Sequence, residues 1–143
     1  MKIGIQREES IFLAKDVSSG RGVFSKINIK SGSVIEVSLA VPIRPEEEGY
    51  IDKTIIWDYY FWTKSHLPNE VSNAHVLLGF ASFCNHSISP NATIIWKKDG
   101  LGIWGILKAI SDIYINEEIT IHYANIDDYV MRGLISHKQA YGY

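Results

Sequence analysis

The chain has 143 residues and a mass of 16.2 kDa, which suits one domain with one hydrophobic core. A single cysteine, Cys84, excludes an internal disulfide and a cysteine-rich zinc site. The net charge is −2 with lysines and arginines scattered singly apart from Lys97-Lys98, so direct binding to nucleic acid, which needs clustered cations, is not expected.

No run approaches the roughly 18 uninterrupted apolar residues of a membrane span. No basic segment followed by an apolar stretch opens the chain, so neither membrane attachment nor secretion is expected, and the location read from the sequence is intracellular. In chain order, Ile11–Leu13 is a short apolar run, followed by a polar turn at Asp16–Gly20, then Val23-Phe24 and Ile27 and Ile29. Lys30-Ser31-Gly32 reads as a turn. Ser33–Ile43 is β-branched and apolar and predicts a bent strand ended by Pro42 and Pro45, with the acidic stretch 46–49 as loop. Tyr50–Trp62 is densely aromatic and too apolar on all sides for an exposed loop, whereas Lys64–Asn73 reads as a surface excursion. Val76, Leu77, Phe80 and Phe83 have spacings that predict two turns of helix over His75–Phe83. A hairpin follows, Ala92–Trp96 and Ile103–Leu107 joined around Asp99-Gly100, then strand at Ile113, Ile115 and Ile119–Ile121. The last element predicted is a helix over Asp127–His137, capped by Asp127 or Asp128.

The segment Asn85–Asn91 is the richest in chemistry. Asn85-His86-Ser87 and Asn91-Ala92-Thr93 are formal glycosylation sequons, but with no secretory signal they have no route to that machinery. Cys84, His75, His86 and His122 fit no zinc-ligand spacing, so no metal is expected. There is no nucleophile elbow and no phosphate-binding glycine loop, and taken alone Gly20-Arg21-Gly22 reads as a turn. Singly, Tyr59, Tyr123 and Tyr129 are best read as half-buried tyrosines with hydroxyls paired at the surface.

Three separated segments change that reading. They are Gly20-Arg21-Gly22-Val23-Phe24, then Leu78–Ser87 closing with Pro90-Asn91-Ala92, and Asn116-Glu117-Glu118-Ile119-Thr120-Ile121-His122-Tyr123. In order and spacing they resemble the signatures of the SET-domain protein-lysine methyltransferases, of the minimal free-standing type found in large viruses and bacteria. The resemblance covers about residues 8 to 130. It implies a mainly β fold of the β-clip type, with several small curved sheets and short helices around a pseudo-knot in which the chain carrying Tyr123 passes near Asn85–Asn91. It also implies one domain over 1–143, with a variable insert at about 44–74 and a closing segment at about 124–143.

The resemblance further implies S-adenosylmethionine as cofactor, held around Gly20, Arg21, Gly22, Tyr59, Asn85, His86 and Tyr123. Tyr123 is the expected catalytic residue, and Tyr59, Tyr123 and Tyr129 line the expected substrate channel. The implied partner is a lysine-containing protein or peptide, histone tails being the family's commonest targets, and a homodimer is a family-level hint. A catalytically inactive SET-like module that binds peptide is the alternative, against which the intact Asn85, His86 and Tyr123 argue. The departures are few. Asn116 stands where glycine usually precedes the paired glutamates, and asparagine tolerates left-handed backbone. Ile88 replaces a common cysteine, and no cysteine cluster follows Tyr123, which leaves Tyr129 and the C-terminal segment, or a second subunit, to close the channel. Ile94 and Ile121 occupy positions often linked to methylation number and carry neither Tyr nor Phe.

Overall fold

The computed structural model describes residues 10–16 and 20–143, so part of the turn expected at Asp16–Gly20 lies outside the described residues. In chain order the strands are β1 (Ile11–Asp16), β2 (Gly20–Ser25), β3 (Val34–Ile43), β4 (Tyr60–Trp62) and β5 (Ala74–Leu77). They continue with β6 (Asn85–His86), β7 (Ala92–Lys98), β8 (Ile103–Ala109) and β9 (Glu118–Ile121). Two sheets result, one ordered β1-β2-β9-β6 and one ordered β4-β5-β3-β8-β7. The helices are short: α1 (Glu48–Ile51), α2 (Ile126–Met131) and α3 (His137–Tyr141), with 3-10 turns at Pro45–Glu47, Ile55–Asp58 and Phe80–Phe83.

The β7–β8 hairpin is the element that the sequence specifies best. Its register runs from Ala92↔Ala109 to Lys98↔Ile103 around the turn at 99–102. β3 follows from its β-branched residues, and its bend is a bulge: Val34 pairs with Lys108 but Glu36 with Leu107. The extra residue turns consecutive side chains, Ile35 and Glu36, both inward. Pro42 does not end this strand. It pairs with His75, and it is tolerated because β8 reaches only Val34–Leu39, leaving the other edge of β3 open there.

Three further expectations are corrected. Residues 75–83 do not form a helix; 74–77 pair with β3 instead, and an extended Gly79 (φ −169°) separates them from a single 3-10 turn. The same apolar spacing serves both forms, and an available strand partner decides between them. Residues 45–51 are helical turns, not loop, entered at Pro45. The C-terminal helix is two helices, broken where Gly133 takes φ 71°. Asn125 is its N-cap, with Asp127 and Asp128 in the first turn, and α3 starts with a Ser136/Gln139 capping box.

β9 lies between β2 and β6, antiparallel to the first and parallel to the second. Asn91 grips it from the far side: its side chain accepts from Thr120 N–H at 2.9 Å and donates to Glu118 C=O at 2.8 Å. Asn116, just before β9, has φ 67°, the left-handed turn for which asparagine is the next choice after glycine. The larger core contains Val23, Ile35, Leu77, Leu107, Ile113 and Ile119. A second cluster, Trp57, Ile126, Tyr129 and Ala140, joins the insert to the C-terminal helices, and Tyr123 packs against both.

Candidate active site

The floor of the site is built where β2, β6 and β9 meet. Asn85 Nδ2 donates to Arg21 C=O at 3.0 Å and to Glu118 Oε2 at 2.7 Å, tying three distant segments together. Gly22 makes that convergence possible, because a Cβ there would lie 2.6 Å from Glu118 Oε2 and 3.1 Å from Asn85 Nδ2.

His86 locks the chain end beside it. Its Nδ1 accepts from Tyr123 N–H at 2.9 Å, so the proton sits on Nε2, which donates to Ala140 C=O at 3.0 Å. A second proton would cost the Tyr123 bond. Burial pushes the His86 pKa below its ordinary value and nearby His122 adds to this, against the Ala140 bond. The imidazole is therefore neutral and fixes α3 over the site. The Tyr123 hydroxyl donates to Cys84 C=O at 2.7 Å. Burial above all, then Tyr129, Cys84 and Asp58, pushes its pKa up, so Tyr123 acts as a phenol and not a phenolate.

The insert supplies the opposite wall. Arg21 donates to Tyr59 OH at 2.5 Å, and its guanidinium lies 4.7 Å from the centre of the Phe83 ring. Tyr129 OH donates to Asp58 C=O at 3.1 Å while its ring stacks on Trp57, with centroids 4.6 Å apart. These contacts leave two cavities. One, of about 630 Å³, is lined by Arg21, Tyr59, Asn85, His86, Tyr123 and Tyr129 among others. The other, of about 150 Å³, runs past Tyr59, Tyr60, Ile94, Trp96, Tyr123 and Tyr129. Five residues line both and so form the junction: Asp58, Tyr59, Ser82, Tyr123 and Tyr129.

The structure thus brings Tyr59, Asn85, His86, Tyr123, Tyr129 and Arg21 to one place, with the three tyrosines at the junction and the other three on the larger cavity alone. Gly20 and Gly22 line neither cavity; they flank Arg21 and let its backbone meet Asn85. The sequence reading missed Glu118 and Asp58. Glu118 sits within the third quoted segment, and its partner Asn85 in the second. Asp58 opens the segment Asp58-Tyr59-Tyr60-Phe61, which resembles its equivalent in the minimal SET proteins, but nothing in that segment marks a role for the acid. Among the described residues no group of three or more His, Cys, Asp or Glu side chains is placed to hold a metal ion. No described helix is long and apolar enough to cross a membrane.

The SET domain family model matches residues 20–124, and the chain belongs to the SET domain family. No curated protein matches it. Among solved structures it is similar to a Plasmodium falciparum protein assigned as a histone methyltransferase, at 29% identity and a TM-score of 0.65, covering 82% of this chain and 96% of that one. It is also similar to the Neurospora SET-domain protein DIM-5, a histone lysine methyltransferase, at 24% identity and a TM-score of 0.65, over 80% of this chain and 52% of that. A third structure, from work on product specificity of histone lysine methyltransferases, matches at 26% identity and a TM-score of 0.64, over 80% and 50%. The chain spans about half the length of these last two proteins.

Proposed function

We propose that this chain transfers a methyl group from S-adenosylmethionine to a lysine side chain of a protein, with histone tails as the first substrates to try. The observation that carries this reading is the pair of cavities meeting at Tyr59, Tyr123 and Tyr129. The larger is within the roughly 300–1,000 Å³ of small-molecule sites. Its polar groups fit an amino-acid-bearing cofactor, with Arg21 for a carboxylate and Asn85 and His86 beside it for the rest. The smaller, at about 150 Å³, is a size that accepts a benzene-sized group and so the tip of a lysine.

S-adenosylmethionine, when bound, would supply a methyl group on a sulfonium for in-line attack by a lysine amine, the C–S bond breaking as the N–C bond forms to leave a neutral thioether and a methylammonium. The chain supplies alignment and a dry tube, the effects that matter most when two reactants must meet end to end. Tyr123 spends its O–H on Cys84, so what its oxygen offers the cavity is lone pairs that accept an amine N–H and aim the nitrogen. The aromatic walls exclude water yet tolerate a cation against their faces. We read residues 1–143 as one SET domain, its insert at about 44–74 supplying Tyr59 and its segment 124–143 supplying Tyr129.

The test is mass spectrometry of a histone panel incubated with the wild-type chain and isotope-labelled cofactor, alongside Tyr123→Phe. Labelled lysine is expected with wild type, and at least about a hundredfold less with the variant while cofactor binding persists. Cofactor binding without transfer to any lysine would favour a binding module instead, and undiminished turnover by the variant would remove Tyr123 from its role.

A further inference from the structure

Asp58 ends the 3-10 turn Ile55–Asp58 and is held there through its backbone, whose carbonyl accepts the Tyr129 hydroxyl. Its side chain is not needed for that. Among the described residues, Oδ1 is buried and has no hydrogen-bond partner. Among the described residues, Asp58 also supplies the one carboxylate that lines either cavity, and it lines both. An uncompensated carboxylate in an aromatic wall is costly, so whatever enters the junction is selected for positive charge.

The groups that face it do not cancel it. Tyr59, Tyr60, Tyr123 and Tyr129 are phenols. Burial first and Asp58 next push the Tyr129 phenol up, so a negative charge felt by its neighbours faces this space. Arg21, the only cation on the larger cavity's wall among the described residues apart from histidine, is engaged with Tyr59 and Phe83. The remaining titratable groups are the thiol of Cys84 and the imidazoles of His66, His86 and His122, and His86 is neutral and doubly hydrogen-bonded.

We propose that Asp58 is the residue that captures the substrate lysine as its ammonium ion, through the charge of its carboxylate at the junction of the two cavities. This rests on the methyltransferase reading and adds a positioning residue to it. Capture of the charged form has a consequence. The carboxylate stabilises the ammonium, so the bound lysine loses its proton to solvent at higher pH than it would without Asp58.

The test uses n-butylammonium chloride as a stand-in for the lysine tip and 1-butanol as its uncharged counterpart, titrated by NMR into wild type and Asp58→Asn. Wild type is expected to bind the ammonium at least tenfold more tightly than the variant, with the alcohol alike on both. Equal ammonium affinity in the two proteins overturns the proposal. Calorimetry with S-adenosylmethionine on the same samples separates the two readings. Cofactor binding with no ammonium discrimination removes Asp58 alone, whereas discrimination without cofactor binding keeps the acidic junction and removes the transferase. With a histone peptide that the chain methylates in hand, Asp58→Asn should raise KM severalfold and move the ascending limb of the kcat profile about one pH unit lower. A structural role would lower kcat at every pH without moving that limb, and a superimposable profile counts against the proposal.

Discussion

Glu36 and Asp58 each carry a carboxylate oxygen into the interior, and their surroundings differ in kind. Around Glu36 the scaffold is saturated: Oε2 accepts from Phe80 N–H at 2.9 Å, and Oε1 accepts from Ala81 N–H at 3.0 Å and from Ser38 Oγ at 3.1 Å. Around Asp58, Oδ1 has no partner among the described residues, and the residue lines two cavities. The first carboxylate replaces the backbone partners that the short turn at Phe80–Phe83 cannot supply itself, and so fixes the chain leading into Cys84 and Asn85. The second leaves its capacity to something that comes and goes. The difference separates a charge that builds the site from a charge available to use it.

The largest effect that would break this comparison is at Glu36. Glu36→Ala strands two backbone N–H groups, one of them in a buried residue, and should cost about 3 kcal/mol in urea unfolding. A loss below about 1 kcal/mol would mean that the saturation is decorative. Gly79→Ala comes next. Its new Cβ would overlap Ser38 Oγ and lie 2.7 Å from Glu36 Oε1, so the two side chains must shift and give up their bonds. The expected cost is about 2 kcal/mol. If the cost passes through Glu36, the double variant should lose clearly less than the sum of the two singles.

These residues also show where the sequence is legible. The β7–β8 hairpin follows from two β-branched runs around Asp-Gly, since turn and alternation are local. The convergence of Tyr123 with Asn85-His86 came through the resemblance and not through periodicity, because β6–β9 pairing joins Asn85 to Thr120 across the fold. The helix expected over 75–83 failed because Val76 and Leu77 have a waiting partner in Val41 and Ala40. Glu36 carried a readable signal, a lone acid within the apolar run 34–39, but the bulge that turns it inward is a property of β8 as much as of β3. Asp58 gave almost none, because a missing partner is a fact about all of its neighbours at once.

Acid should expose a third, smaller difference. Burial lowers the pKa of His75 in the five-stranded sheet and of His86 at the site. Both bind protons more readily in the unfolded chain, so stability rises with pH through this range. Their contribution is complete above the unfolded value of about 6.5 and is lost as pH falls through the lower folded values. Thermal unfolding between pH 7.5 and 5 should show the melting temperature falling with acidification. In His75→Gln the fall should be shallower, with the remainder belonging to His86. A flat profile would mean that neither imidazole is held neutral.

The smallest stability effect belongs to Asp58, and its smallness is the point. Removing one partner of a buried polar contact is expensive, whereas neutralising a carboxylate oxygen that has no partner removes a desolvation cost and breaks nothing. Asp58→Asn keeps the shape and keeps the backbone carbonyl that receives Tyr129. It should change unfolding free energy by no more than about 1 kcal/mol, with the sign towards stability, or a melting temperature level or up to about 3 °C higher for a chain of this size. A fall of about 5 °C or more would show that the carboxylate is holding the fold as Glu36 does, and the contrast between them would collapse.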